Sequence, residues 1–102
     1  MALTKIIYGI MGDEFTTSSV VAAETLDFAT SQVFTKTMTA DTTFVFSNTG
    51  IGMVKDLILT GAFVPTFPAG TTLVAGTYDG SVSNLVQIVV TGASEYWISI
   101  SQ

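Results

Sequence analysis

Residues 42–48, TTFVFSN, alternate strictly: Phe44 and Phe46 face in, Thr43 and Ser47 face out, and Val45 is semi-exposed. A period of two is the pattern of a half-buried β-strand and fits no helix. Related patterns follow along the chain. VFTKTMT places Phe34 and Met38 on one side of a threonine comb. MVKDLILT (53–60) carries Leu57 and Leu59 on one face and Ile58 on the other. TTLVA (71–75) and LVQIVV (85–90) are short apolar runs, and EYWISI (95–100) sets Tyr96, Ile98 and Ile100 against Glu95, Trp97 and Ser99. Turn chemistry separates them, at Ala40–Asp41, at Asn48 to Gly52, at Gly61–Ala62, at Gly76 to Gly80 and at Thr91 to Ser94.

About six to eight short strands at intervals near ten residues are the pattern of a sandwich or barrel. The expected fold is all-β, a compact antiparallel β-sandwich or jelly-roll-like domain. No βαβ alternation occurs, and no fixed repeat suggests a solenoid. Prolines 65 and 68 exclude a central strand at PTFPAGTTL, which reads as a rigid corner placing Phe67 in the core. Residues 20–28, VVAAETLDF, are the most helix-like stretch, but one to two turns are marginal alone, and an extended form stays open. Lys5 to Met11, KIIYGIM, is either a core strand or an arm lying on a neighbouring subunit. The expected division is an N-terminal arm or first strand and loop over 1–25 and the β domain over 26–102. No secretory signal pattern and no membrane span are read in the chain.

Composition narrows the chemistry. The 102 residues include 17 threonines and 9 serines but no cysteine, histidine or arginine, and 3 lysines oppose 8 acids for a net charge of −5. There is no thiolate, no imidazole base and no zinc-thiolate site. The charge balance argues against nucleic acid, whose phosphates need neutralising. Charged residues are 11% of the chain, against roughly 25% in an ordinary soluble domain, and hydroxyls replace them. A surface poor in charge favours self-association.

No catalytic residue and no cofactor are assigned, and the chain is read as non-enzymatic. The adjacent acids Asp13–Glu14 read as a solvated turn, with a calcium-binding corner as the lesser reading. Gly50-Ile-Gly52 lacks the helix and lysine of a nucleotide loop and reads as a tight turn. Asp79–Gly80 also reads as a turn. Asp56 shares a strand face with Val54 and Ile58 and is an edge or interface charge, or hydrogen-bonds to another subunit. Trp97, with Glu95 and Ser99, lies outside, under a loop, in a subunit contact or as a sugar-stacking platform. The interface candidates are therefore Ile6, Ile7, Tyr8, Asp56 and Trp97. The candidates for a glycan site are Tyr78, Asn84 and Trp97, expected to be exposed in one concave patch.

The runs FTKTMTADTTFVFSN, GMVKDLILTG and PTFPAG, closing on EYWISI, resemble a domain recurring in small virion proteins and in head-fibre or tail-fibre proteins of tailed bacteriophages. Thr42, Thr43, Phe44, Phe46, Asn48, Gly52, Leu57, Leu59, Thr60, Pro68, Gly70 and Trp97 carry the likeness, which spans Leu26 to Gln102. Phe67 stands where an aromatic of the proline corner is expected. The resemblance implies a compact β-sandwich, often trimeric, that decorates a head or forms part of a fibre. The implied partners are copies of the chain and a major capsid or other virion protein, with no membrane. The implied location is the particle surface, after synthesis in the host cytoplasm. The alternatives are a fibre-tip module binding a host surface glycan, and a cellular carbohydrate-binding or adhesion module. The family pattern has no catalytic residue to carry over.

Overall fold

The structure, a computed structural model, describes residues 18–21 and 23–102. The expectations for Ile6, Ile7, Tyr8, the KIIYGIM run and Asp13–Glu14 lie outside the described residues.

The described chain is all-β: β1 Ser18–Val20, β2 Thr25–Asp27, β3 Val33–Thr37, β4 Thr42–Thr43, β5 Val45–Ser47, β6 Val54–Thr60, β7 Pro65–Thr66, β8 Thr71–Ala75, β9 Asn84–Gly92 and β10 Glu95–Ser101. The helix-like stretch 20–28 holds the end of β1 and all of β2, and no helix among its described residues. The valine, threonine and acid within it have other work: Val21 N–H donates to the Thr35 carbonyl at 2.8 Å, and β2 pairs with β5.

The main sheet has six strands in the order β1-β3-β6-β9-β10-β8. Two further two-stranded pairs, β2-β5 and β4-β7, form a facing wall. The expectation of an antiparallel sandwich or jelly roll needs correction. β1, β3 and β6 run parallel, as do β2 with β5 and β4 with β7. Parallel neighbours mean that the chain circles back in the same direction, so the first two-thirds wind like a short β-solenoid. The antiparallel part is the β6-β9-β10 meander, with β8 parallel to β10 at its far edge. The coils have unequal lengths. Partner positions lie 15 residues apart from β1 to β3 (Ser18 and Val33), 20 from β2 to β5 (Thr25 and Val45) and 23 from β3 to β6 (Val33 and Asp56). That is why no repeat is visible in the sequence.

β1 and the first residue of β2 precede residue 26, yet they pair with β3 and β5. The pairing therefore extends past the boundary expected at 25/26.

The core follows the alternation. Phe34, Leu57, Leu59, Val86, Ile88, Val90, Tyr96, Ile98 and Ile100 point inward from the sheet, and Leu26, Phe28, Phe44 and Phe46 meet them from the wall. Aromatic rings tie the layers together: Phe46 meets Tyr96 edge-on with centroids 4.9 Å apart, and Phe28 lies 5.1 Å from Phe46. The PTFP corner behaves as expected. β7 is short, and Phe67 stacks on Phe44 at 5.5 Å.

Two lysines are turned inward by the same period of two. Lys36 shares a face with Phe34, and its Nζ donates to the carbonyls of Ala23 (3.0 Å) and Val21 (3.4 Å). Lys55 shares the face of Leu57 and Leu59 and is 0% exposed. The neighbouring Asp56 points to the opposite face.

Acid residues close the turns. Asn48, in the left-handed region at φ 54°, donates from Nδ2 to Asp27 Oδ1 at 2.8 Å, and the Ala29 N–H donates to the same oxygen at 3.0 Å. The Asn48 bond, and then the Ala29 amide, hold the Asp27 carboxyl below the usual carboxylate range. The hydroxyl of Ser81, followed by its backbone N–H, does the same for Asp79. A depressed carboxylate stabilises the fold above its unfolded pKa, near 4, and that contribution is lost as pH falls through the lower folded value. Melting temperature should therefore hold from neutral pH to about 5 and fall below about 4. Asp27→Asn should show a shallower acid slope than the parent chain in thermal melts across that range. An unchanged slope would remove Asp27 from the account.

Candidate functional site

Because β9 and β10 alternate, the sheet has a second face that the wall does not cover. Val54 on β6, Val89 on β9 and Trp97 on β10 are direct cross-strand partners and form one row on this outer face. They are 44%, 37% and 50% exposed. Val74 lies beside the row and Ile58 further along β6, past Asp56, on the same face; both are exposed. The row floors a shallow groove of about 310 Å³ that Val74, Gln87, Thr91 and Ser99 help to line. Val74 reaches this groove through a β-bulge: the β8–β10 register shifts between Ile98 and Ser99, and Leu73 and Ala75 oppose those two residues. Asp56 stands on the same face in register with Gln87, and its Oδ1 is buried without a hydrogen-bond partner. Asp56 and Trp97, two of the interface candidates, thus share one surface.

The inner face carries a larger feature. The sheet extends beyond β6 by three strands, β9, β10 and β8, while the wall ends at β7. The overhang opens a cleft of about 930 Å³ between β7 and β8. Its floor is Ile98, Ile100 and Leu73. Its lip is the 61–64 segment, where Phe63 and Val64 are exposed. Tyr78 braces that lip: its hydroxyl donates to the Gly61 carbonyl at 2.6 Å. Burial, and then the nearby Asp79 charge, push the Tyr78 phenol above its ordinary pKa, so it stays protonated and able to donate. Asp41 is the cleft's carboxylate, and its Oδ1 already accepts the Val64 N–H at 2.9 Å.

The three glycan candidates do not converge. Tyr78 lines the inner cleft and Trp97 the outer groove, on opposite faces of the sheet. Asn84, expected to be exposed, is 1% exposed. Its Nδ2 donates to the carbonyls of Asp79 (2.7 Å), Val82 (3.0 Å) and Leu59 (3.3 Å), while its Oδ1 accepts from the Asp79 N–H (2.9 Å) and from Gln102 Nε2 (2.6 Å). The 79–82 turn folds back over the side chain and uses its hydrogen-bonding capacity inside the protein. Asp79 itself is taken up by Ser81, consistent with a turn.

Among the described residues, no three acids come together as a metal-binding group. No helix there is long and apolar enough to cross a membrane. The cleft escaped sequence reasoning because its walls come from residue 41, from 62–68, and from positions within 71–81 and 98–100, which no local pattern links. The exposed Phe63 and Val64, next to a proline, were the only local signal. Comparison with protein-family models, with curated proteins and with solved structures gave no match.

Proposed function

We propose that the chain is a non-enzymatic structural protein that acts by assembling with copies of itself, through the outer face of its main sheet. The carrying observation is the Val54–Val89–Trp97 row, with Val74 beside it. An exposed apolar row that includes a tryptophan is the composition of an interface core. Asp56 and Glu95 are the charges near it among the described residues; both are acidic, so a second copy meets like charge at the rim, and salt should favour association. The setting proposed for that assembly is the surface of a phage particle, on a head or in a fibre, where a trimer would suit the resemblance. The support for that setting is the sequence likeness alone.

Sedimentation of the purified chain tests the assembly. The parent chain should sediment as a closed oligomer at tens of micromolar, as expected for an interface of standard size. Trp97→Lys should weaken association by about 30-fold or more, the effect of losing a central interface tryptophan. Because Trp97 is half exposed, the variant should melt close to the parent. A parent chain that remains monomeric at about 100 μM, near the weak end of specific association, overturns the reading.

A further inference from the structure

We propose that the β8 edge and the cleft beside it form a second contact surface, taken by β8 of another copy of this chain in antiparallel pairing about a twofold axis. The inference rests on the self-assembly reading above and adds an interface on the other side of β8 from the rest of the sheet.

Among the described residues β8 is the last strand of the six-stranded sheet, and none of them places a strand beside its outer edge. Proteins usually guard such an edge with lysine, proline or inward charge. Thr71-Thr72-Leu73-Val74-Ala75 has none of these, and its protection is only its short length and the bulge at Val74. The Val74 bulge shortens the regular edge to Thr71–Leu73, so backbone pairing there is brief and needs side-chain contact on both faces. Both faces offer it. Leu73 is 49% exposed toward the cleft, near the exposed Phe63 and Val64, and Val74 is exposed toward Trp97. Edge pairing would bury these two apolar surfaces together, and the outer one is continuous with the face already assigned to assembly.

The occupant follows from charge and symmetry. The cleft's carboxylate is engaged by a backbone amide, and no lysine lines it, so it selects an uncharged, apolar segment. β8 is such a segment. A twofold operation brings two copies of it together with the same residues on each side, as isologous contacts require. An antiparallel pair centred near Thr72 sets position 72 or 73 opposite its own copy, with Cβ atoms about 4.5–5.5 Å apart.

The absence of cysteine makes the test clean. Thr72→Cys and Leu73→Cys are made separately, each giving one thiol per chain, and both are oxidised under mild conditions beside a Thr43→Cys control on β4. Disulfide-linked dimer is expected from position 72 or 73 and not from 43. Leu73→Lys should lower the dimer association constant at least tenfold while its melting temperature stays with the parent's, and it should leave contacts through Trp97 intact. Conversely, Trp97→Lys should leave cross-linking at 72 or 73 in place. If the parent chain oligomerises but neither thiol cross-links above the control, the β8 proposal fails and the Trp97 reading stands. If the parent is monomeric and neither thiol cross-links, both fail.

Discussion

Gly76→Ala is expected to destabilise the protein by about 3–5 kcal/mol, enough to lower the melting temperature of a chain this size by roughly 15 °C or more. Gly76 ends β8 with φ +83°, where an L side chain is strained, and an added Cβ would run into the carbonyl oxygen of Ile100 on β10. That carbonyl belongs to the backbone of a central hairpin, so it has nowhere to move. The same mutation at Gly52 separates the two contributions. Gly52 has φ +90° but nothing within 4 Å of its Cβ position. Gly52→Ala should therefore cost about 1 kcal/mol, the backbone strain alone. Urea unfolding of the two variants measures the difference. Equal losses would mean that β8 can pull away from β10 at little cost. Because β8 forms one side of the cleft and carries Val74 of the outer groove, Gly76→Ala should also open the cleft before the core. Faster proteolysis near residues 71–80 under native conditions would report that local loss.

Asn84→Ala should cost about 2–4 kcal/mol, although no apolar contact is removed. The substitution would leave the Asp79 N–H without its acceptor and strip the amide donors from three carbonyls, those of Asp79, Val82 and Leu59, in a site closed to water. Asn84→Asp should be at least as damaging despite its matching shape. It keeps the acceptor for Asp79 but turns a second oxygen toward the same carbonyls, and its charge would be buried. Equilibrium unfolding gives the sizes, and amide exchange at Asp79 gives the location. Full retention of stability in Asn84→Ala would show that water replaces the amide, and so that the turn is more open than its hydrogen bonds indicate.

Sequence and structure agree most closely where neighbours in the chain set the outcome. In TTFVFSN and EYWISI the period of two decided which side chains are buried, so the inward Phe44, Phe46, Tyr96, Ile98 and Ile100 and the outward Val45 and Trp97 could be read directly. That Trp97 and Asp56 each point away from the inward side of their own strand was legible for the same reason; that they share one surface was decided by the β6–β9–β10 pairing. Strand direction was not. Whether β6 meets β3 in parallel or antiparallel register depends on how 23 residues of coil return, and alternation is the same in parallel and antiparallel strands. Asn84 misled because a polar residue at a strand's start is ordinarily solvated. Here a turn five residues upstream closes over it.

By itself, then, the amino-acid sequence determined a β-rich chain, the inward and outward sides of its strands, and a surface poor in charge and rich in hydroxyls. These depend on residue type and on a two-residue period, which act locally. The tertiary structure alone decided that the early strands wind in parallel coils and that the sheet outgrows its facing wall. It also decided that β8 is left as an edge beside an open cleft. Those features come from which distant segments share hydrogen bonds, and that competition is settled only when the whole core closes.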